Sequence, residues 1–296
     1  MKGQIIKALS GFYSVQTENG LFICKARGKF RKDGISPLVG DYVEITQTSA
    51  DEGVIDRILP RKNCFQRPAV ANIDQLVILI SQAIPKADTQ VIDRMTVMAT
   101  MKHCDVLICI NKCDLDEASE LHRIYTNAGF QTVCVSAKTG EGMDGLSSHL
   151  CGKLSAFTGN SGVGKSSVLN QLDPQWNLAV GEVSKALGRG KHTTRHIEMF
   201  SLANGAQVID TPGFSSFSVE EDLSNADMDL ASFYPDFVPF LNACRFTGCT
   251  HRNEKGCSLL SALVDGKIEP SRHNSYLRLY EEWKSKPEWT KKSKRV

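Results

Sequence analysis

"GNSGVGKSS", residues 159–167, decides the fold. Gly159, Gly164, Lys165 and Ser166 satisfy G-x-x-x-x-G-K-[ST], in which glycines let backbone N–H groups converge on phosphate oxygens and the following helix adds its positive end. The strand-like "KLSAFTGN" precedes it and the helical "KSSVLNQL" comes after, which is the strand–loop–helix setting such a loop needs. Gly159, Asn160, Ser161, Gly162, Val163 and Gly164 then form the cradle, with Lys165, Ser166 and Ser167 opening the helix. In this reading Lys165 meets the β and γ phosphates, and the Ser166 hydroxyl takes a place on Mg²⁺, a cation that keeps most of its waters.

Working outward, "DQLVILISQ", "DVLICINKCD", "QTVCVSAK" and "AQVIDTPG" read as strands and "DTQVIDRMTVMATMKH" as a helix. Strands alternating with helices predict a parallel sheet, with its ligand site at the carboxyl ends of the strands. Several motifs fall at those ends. Asp210 in "DTPG" is the expected magnesium-side carboxylate, and Gly213 offers a backbone N–H to a γ phosphate. Asp114 in "NKCD" can accept two hydrogen bonds from guanine, whereas adenine would leave that buried carboxylate unpaired. Asn111 and Lys112 brace this loop and pack over the base, and Ser136, Ala137 and Lys138 add a backbone contact to the guanine oxygen. Between the glycine loop and DTPG, "GRGKHTTRH" reads as a segment ordered by γ phosphate and metal, with Thr193 or Thr194 as metal ligand. The base-reading element therefore precedes the phosphate-holding one.

The 296 residues, with a net charge of +2, exceed what one core usually organises. Three units are expected: 1–67, 68–220 and 221–296. The first shows "IIKALSGFYSVQT", "GLFICKARG", "VGDYVEIT" and "EGVIDRILP", short strands broken by glycine. That spacing suits a five-stranded oligonucleotide-binding (OB) barrel, and periodicity alone leaves an SH3-like barrel open. Within it Lys25, Arg27, Lys29, Arg31 and Lys32 surround Phe30, the look of an RNA-facing loop or of an ordinary solvated charge run. Lys, Gly and Ser interrupt the first apolar residues, and the longest aliphatic run is "LVILI", so neither export nor membrane spanning is expected.

Ten cysteines in such a chain read as free thiols or metal ligands of a reducing cytosol. Cys244, Cys249, His251 and Cys257 have the donor set and spacing of a closed tetrahedral Zn²⁺ shell, structural rather than catalytic. Short helices are expected around it. The other seven cysteines, Cys109 and Cys113 among them, read as packing residues or bystanders, and the basic tail "KKSKRV" as solvated or disordered.

The order NKCD, SAK, GNSGVGKSS, HTT, DTPG, a barrel before it and C-x4-C-x-H-x5-C after it closely resemble the ribosome small subunit-dependent GTPase A family over essentially the whole chain. The resemblance implies an OB-fold domain, a circularly permuted Ras-like GTPase domain and a helical zinc-binding domain. It implies a cytoplasmic, monomeric enzyme that transfers the γ phosphoryl group of GTP to water, uses Mg²⁺, is stimulated by the small ribosomal subunit and its rRNA, and acts in late maturation of that subunit. Phe214 stands where Ras-like enzymes carry their water-orienting glutamine. The resemblance places the catalytic role on His192, with His196 the less favoured neighbour, beside Lys165 and Thr194. Two other readings stay open: a nucleotide-gated RNA scaffold with incidental hydrolysis, and an ATP-using enzyme, against which NKCD speaks.

Overall fold

The computed structural model describes residues 1–32, 34–65, 69–81, 83–115, 119–176, 178, 197–210 and 229–285, with the side chains of Arg31, Lys32 and Asp210 left aside. The barrel is built from β1 (Lys2–Leu9), β2 (Phe12–Thr17), β3 (Gly20–Ala26), a one-turn helix α1 (Lys29–Lys32), β4 (Tyr42–Gln47) and β5 (Glu52–Ile58). Ser10 and Gly11 both take positive φ, which splits the first predicted run into a hairpin. Strand β3 runs parallel to β5, β5 pairs with β4, and β4 returns to β1, so the five strands close. The closure is that of an OB-type barrel, packed around Ile5, Val15, Phe22, Cys24, Val43, Ile45 and Ile55.

One sequence expectation is corrected here. Phe30 is 7% exposed and belongs to the core cluster, because α1 turns its ring inward while Lys29 lies over one face. The ring is therefore unavailable for stacking on a base.

After a small hairpin, β6 (Cys64–Phe65) and β7 (Val70–Ala71), comes the alternating part. Its elements are β8 (Gln75–Ser81), α2 (Thr89–Met101), β9 (Asp105–Asn111), α3 (Ser119–Asn127), β10 (Gln131–Cys134), α4 (Met143–Leu150), β11 (Leu154–Gly159), α5 (Lys165–Leu172), β12 (Ile197–Ser201) and β13 (Gln207–Asp210). Strands β10, β9, β8, β11 and β13 are parallel neighbours in that order, and β12 adds antiparallel to β13. Every residue of β8 and β11 is buried, which explains the unbroken apolar run Leu76–Ile80 of β8. Leu76, Ile78 and Ile80 face one core with α2 and α3, while Val77 and Leu79 face another with α4 and α5.

The barrel does not stand apart from this sheet. Residues Lys2–Gln4 of β1 pair with β4, a register shift falls between Ile5 and Lys7, and Lys7 and Ala8 then pair with Glu198 and Ile197 of β12. One eleven-stranded sheet results. A bulge bends its strand and re-aims the residues beyond it, so a single strand serves two sheets.

The C-terminal part is made of 3-10 turns at Leu230–Phe233 and Val238–Ala243, then α6 (Ser258–Val264) and α7 (Pro270–Lys284). Helix α7 docks on α2 through a fully buried guanidinium. Arg272 donates to Asp93 Oδ1 at 2.6 Å and to Asp236 Oδ1 at 2.8 Å, under the ring of Tyr234 at 4.7 Å. Burial pushes the Asp93 carboxyl up, against the pull of Arg272, while the two carboxylates raise Arg272 against its own burial. Arg94–Glu282 and Arg123–Glu269 ion pairs flank it. Removing one member of a buried charge set strands the others. Arg272→Met is therefore expected to lower stability by about 3–5 kcal/mol in denaturant unfolding, whereas replacing Asp93, Asp236 and Arg272 together by apolar residues recovers most of the loss.

Candidate functional site

The ends of β9, β10 and β11 bring three of the predicted motifs together. Asn111, the last residue of β9, is 3% exposed. Its Nδ2 donates to the Val163 carbonyl at 2.8 Å, and its Oδ1 accepts from the Ala137 N–H at 3.1 Å. One amide side chain thus joins the base-reading loop, the Ser136–Lys138 turn and the phosphate loop.

Lys112 comes next with φ 68°, and its Nζ donates to the carbonyls of Gly162 at 2.8 Å and Ile84 at 2.6 Å. The lysine braces the phosphate loop from above. Asp114, expected to be buried, is instead exposed at the rim because it lies past the end of β9, and one carboxylate oxygen accepts from Ser136 Oγ at 2.7 Å. Ser136 in turn accepts from the Thr139 N–H at 3.2 Å, so the carboxylate is held by a side chain that is itself fixed. An oriented carboxylate is what the ring N–H and the exocyclic amino group of guanine require.

The phosphate loop runs from Gly159 at the end of β11 through Asn160, Ser161, Gly162 and Val163 to Gly164, which precedes α5. Val163 is buried and its N–H bonds back to the Asn160 carbonyl at 3.3 Å, closing the turn. Gly164 has φ 94°, and a Cβ there would lie 2.4 Å from Asn111 Nδ2. Gly159 likewise has room for no side chain, since a Cβ would meet the Leu79 carbonyl oxygen at 2.4 Å. Lys165, Ser166 and Ser167 form the first turn of α5, where N–H groups that lie outside the intrahelical ladder and the helix dipole favour an anion. Asp210 ends β13 in register with Phe157 of β11, on the neighbouring strand. His192, Thr193, Thr194, His196, Gly213 and Phe214 lie outside the described residues.

The second predicted cluster also comes together. The ligand atoms of Cys244, Cys249, His251 and Cys257 all lie within 4.8 Å of one another. Cys244 Sγ is 3.9 Å from Cys257 Sγ, and His251 Nδ1 is 3.5 Å from Cys244 Sγ and 3.4 Å from Cys257 Sγ. Tetrahedral bonds of about 2.3 Å to sulfur and 2.0 Å to nitrogen require separations near 3.8 and 3.5 Å. The cluster has the donors and the spacing to hold a metal ion. Burial lowers the His251 pKa, favouring the neutral imidazole that ligates. Glu254 organises the turn by accepting from the N–H groups of Thr250, Arg252 and Asn253; despite partial burial, the Thr250 bonds bring its carboxyl down to about 2.

Sequence reasoning missed Asp93, Asp236 and Arg272, which fix the metal-cluster module to α2. It also missed Lys7 and Glu198, which join the barrel to β12. The remaining cysteines are free thiols; Cys24, Cys104 and Cys109 are buried as packing groups, Cys151 is exposed, and burial, with Cys134 adding to it, pushes Cys113 up to about 12. No described helix is long and apolar enough to cross a membrane.

The RsgA GTPase family profile matches residues 58–220, and the RsgA N-terminal domain profile matches residues 2–55. The chain belongs to the RsgA GTPase family. Proteins named small ribosomal subunit biogenesis GTPase RsgA from Caldanaerobacter subterraneus subsp. tengcongensis and from Alkaliphilus metalliredigens are each 42% identical to it. The alignments cover 97% of this chain and 97% of the first, and 96% of this chain and 98% of the second. Among solved structures, YjeQ from Thermotoga maritima is 31% identical with a TM-score of 0.77, covering 97% of this chain and 99% of that one. YloQ, described as a circularly permuted GTPase, is 34% identical with a TM-score of 0.75, covering 97% and 96%. This RsgA-family chain is accordingly a GTP hydrolase of circularly permuted order, its guanine-side strands β9 and β10 preceding the phosphate-loop strand β11.

Gly164→Ala combines a clash with a left-handed backbone, so GTP affinity measured by calorimetry is expected to fall at least about tenfold. Gly205→Ala, in the β12–β13 turn with φ 80° and open space around it, carries the backbone strain without the clash and leaves affinity unchanged.

Proposed function

We propose that this protein binds GTP with Mg²⁺, hydrolyses it when engaged by the small ribosomal subunit and its rRNA, and acts late in maturation of that subunit. The observation that carries the nucleotide half is the single Asn111 side chain bonded to both the phosphate loop and the base-reading turn. The partner is inferred from near-full-length similarity to proteins named for small ribosomal subunit biogenesis. The three units are taken as 1–67, 68–220 and 221–296, in a monomeric, cytoplasmic protein.

In this reading the cradle N–H groups and Lys165 neutralise the β and γ phosphates, and Asp114 selects guanine. Ser166 and Thr194, with Asp210 acting through water, would hold Mg²⁺, which would supply further neutralisation of phosphate charge. Thr193 and Gly213 contact the γ phosphate side, and His192 helps place the attacking water in the absence of the Ras glutamine. The metal in the cysteine cluster is Zn²⁺, held by Cys244, Cys249, His251 and Cys257, because three thiolates and one imidazole in a closed shell suit that ion and leave no open position.

The test is GTP turnover with and without small subunits, with large subunits and ATP as controls. Stimulation by small subunits alone, lost in His192→Ala, is the expected outcome. Tight guanine nucleotide binding with no stimulation would favour the nucleotide-gated scaffold instead. For the metal, elemental analysis is expected to find one zinc per chain. Cys257→Ser or prolonged chelation should then lower the unfolding temperature, since binding free energy of such a site is folding free energy.

A further inference from the structure

The turn that carries Cys249 and His251 is held from outside by one face of α7. His251 takes φ 56°, a left-handed backbone that a residue with a Cβ keeps only where its surroundings fix it. Its Nδ1 faces the sulfurs of Cys244 and Cys257, while its carbonyl oxygen accepts from His273 Nε2 at 2.9 Å. A carbonyl can only accept, so the bond places the His273 proton on Nε2. One residue earlier, the Thr250 carbonyl accepts from the Tyr276 hydroxyl at 2.8 Å. The two peptide groups that flank His251 are thus both held by α7. One residue later, Arg252 lies over the Tyr280 ring at 4.9 Å. His273, Tyr276 and Tyr280 are spaced three and four apart, so three consecutive residues of the turn meet a single face of the helix.

His273 is not among the four residues whose ligand atoms converge. It and Tyr276 are nonetheless well fixed, being 5% and 2% exposed, with the Tyr276 ring edge-on to Tyr234 and Phe237. Donors locked by packing can hold a ligand within the narrow tolerance that a metal shell sets.

We propose that His273 and Tyr276 are positioning residues of the metal cluster: by holding the carbonyls of His251 and Thr250, they keep the left-handed turn that presents His251 Nδ1 to the sulfurs. This rests on reading the cluster as a zinc site. Neither side chain touches the metal; each acts through the backbone beside a ligand. Arg272, the neighbour of His273, binds α2, so the helix that docks this module on the GTPase body also sets its metal site.

The experiment is zinc affinity of the full chain, measured by competition with a chromogenic chelator, with GDP binding as the check that each variant is folded. His273→Phe keeps an aromatic ring and removes the donor; it is expected to weaken zinc binding about ten- to a hundredfold, the size reached when partners of metal ligands are lost. Tyr276→Phe removes one hydroxyl and should cost about fivefold, the worth of one hydrogen bond. His273→Gln returns an N–H donor to the same carbonyl and should stay near the unmodified protein. Unchanged affinity in either phenylalanine variant, or a His273→Gln chain as weak as His273→Phe, would overturn the proposal and leave these side chains as packing. If His273→Phe loses GDP binding as well, Tyr276→Phe decides alone. An unmodified protein that binds GDP and takes up no zinc would instead overturn the reading of the cluster on which the proposal rests.

Discussion

The nucleotide site depends on Asn111. Its amide is buried, so both of its polar ends must be satisfied by protein, and they are satisfied by two different loops. No small adjustment of either loop can preserve both bonds. The absent side chain of Gly164 is part of the same constraint, since any Cβ there would occupy the space of the amide nitrogen. Lys112 repeats the arrangement one residue later with its two carbonyl partners. The effect is a site whose base-reading and phosphate-holding halves are held against each other by the protein's own hydrogen bonds, which limits the ordering cost of binding.

This explains why a permuted chain order is tolerable. The site is defined by which strand ends lie side by side, and β9, β8, β11 and β13 do so whichever of them comes first in the sequence. Permutation changes instead which modules are attached to the sheet's edges. Here β12 carries the barrel on its outer side, and α7 fixes the metal-cluster module to α2 through Arg272. The GTPase body is therefore flanked by two modules with separate kinds of attachment, one a backbone ladder and the other a buried charge.

Legibility in the sequence tracks the range over which each feature is encoded. The glycine loop, NKCD, the Ser136–Lys138 turn and the Cys/His cluster are local spacings, each readable within a short stretch of chain, and the structure gathers each of them. The barrel was legible as five short strands, but its type depended on the β3–β5 and β1–β4 pairings, which no period records. Arg272 looks like any helical arginine until Asp93, 179 residues away, is found beside it. Phe30 was misread because its neighbours in sequence are basic while its neighbours in space are apolar. His192, Thr193, Thr194 and Gly213 carry expectations that stand on sequence alone.

The seam between β1 and β12 also bears on how the molecule is made. The barrel closes on itself within the first 58 residues, so it can fold while the rest of the chain is still being synthesised. The far half of β1 has its β12 partner 191 residues later, in a strand that appears only after most of the parallel sheet has emerged. Until then a short stretch of strand edge at Lys7 and Ala8 waits for its complement. The charge of Lys7 at that edge is the kind of feature that discourages pairing with another chain in the interval. One lysine thus guards an unfinished edge in the nascent protein and completes an ion pair in the finished one.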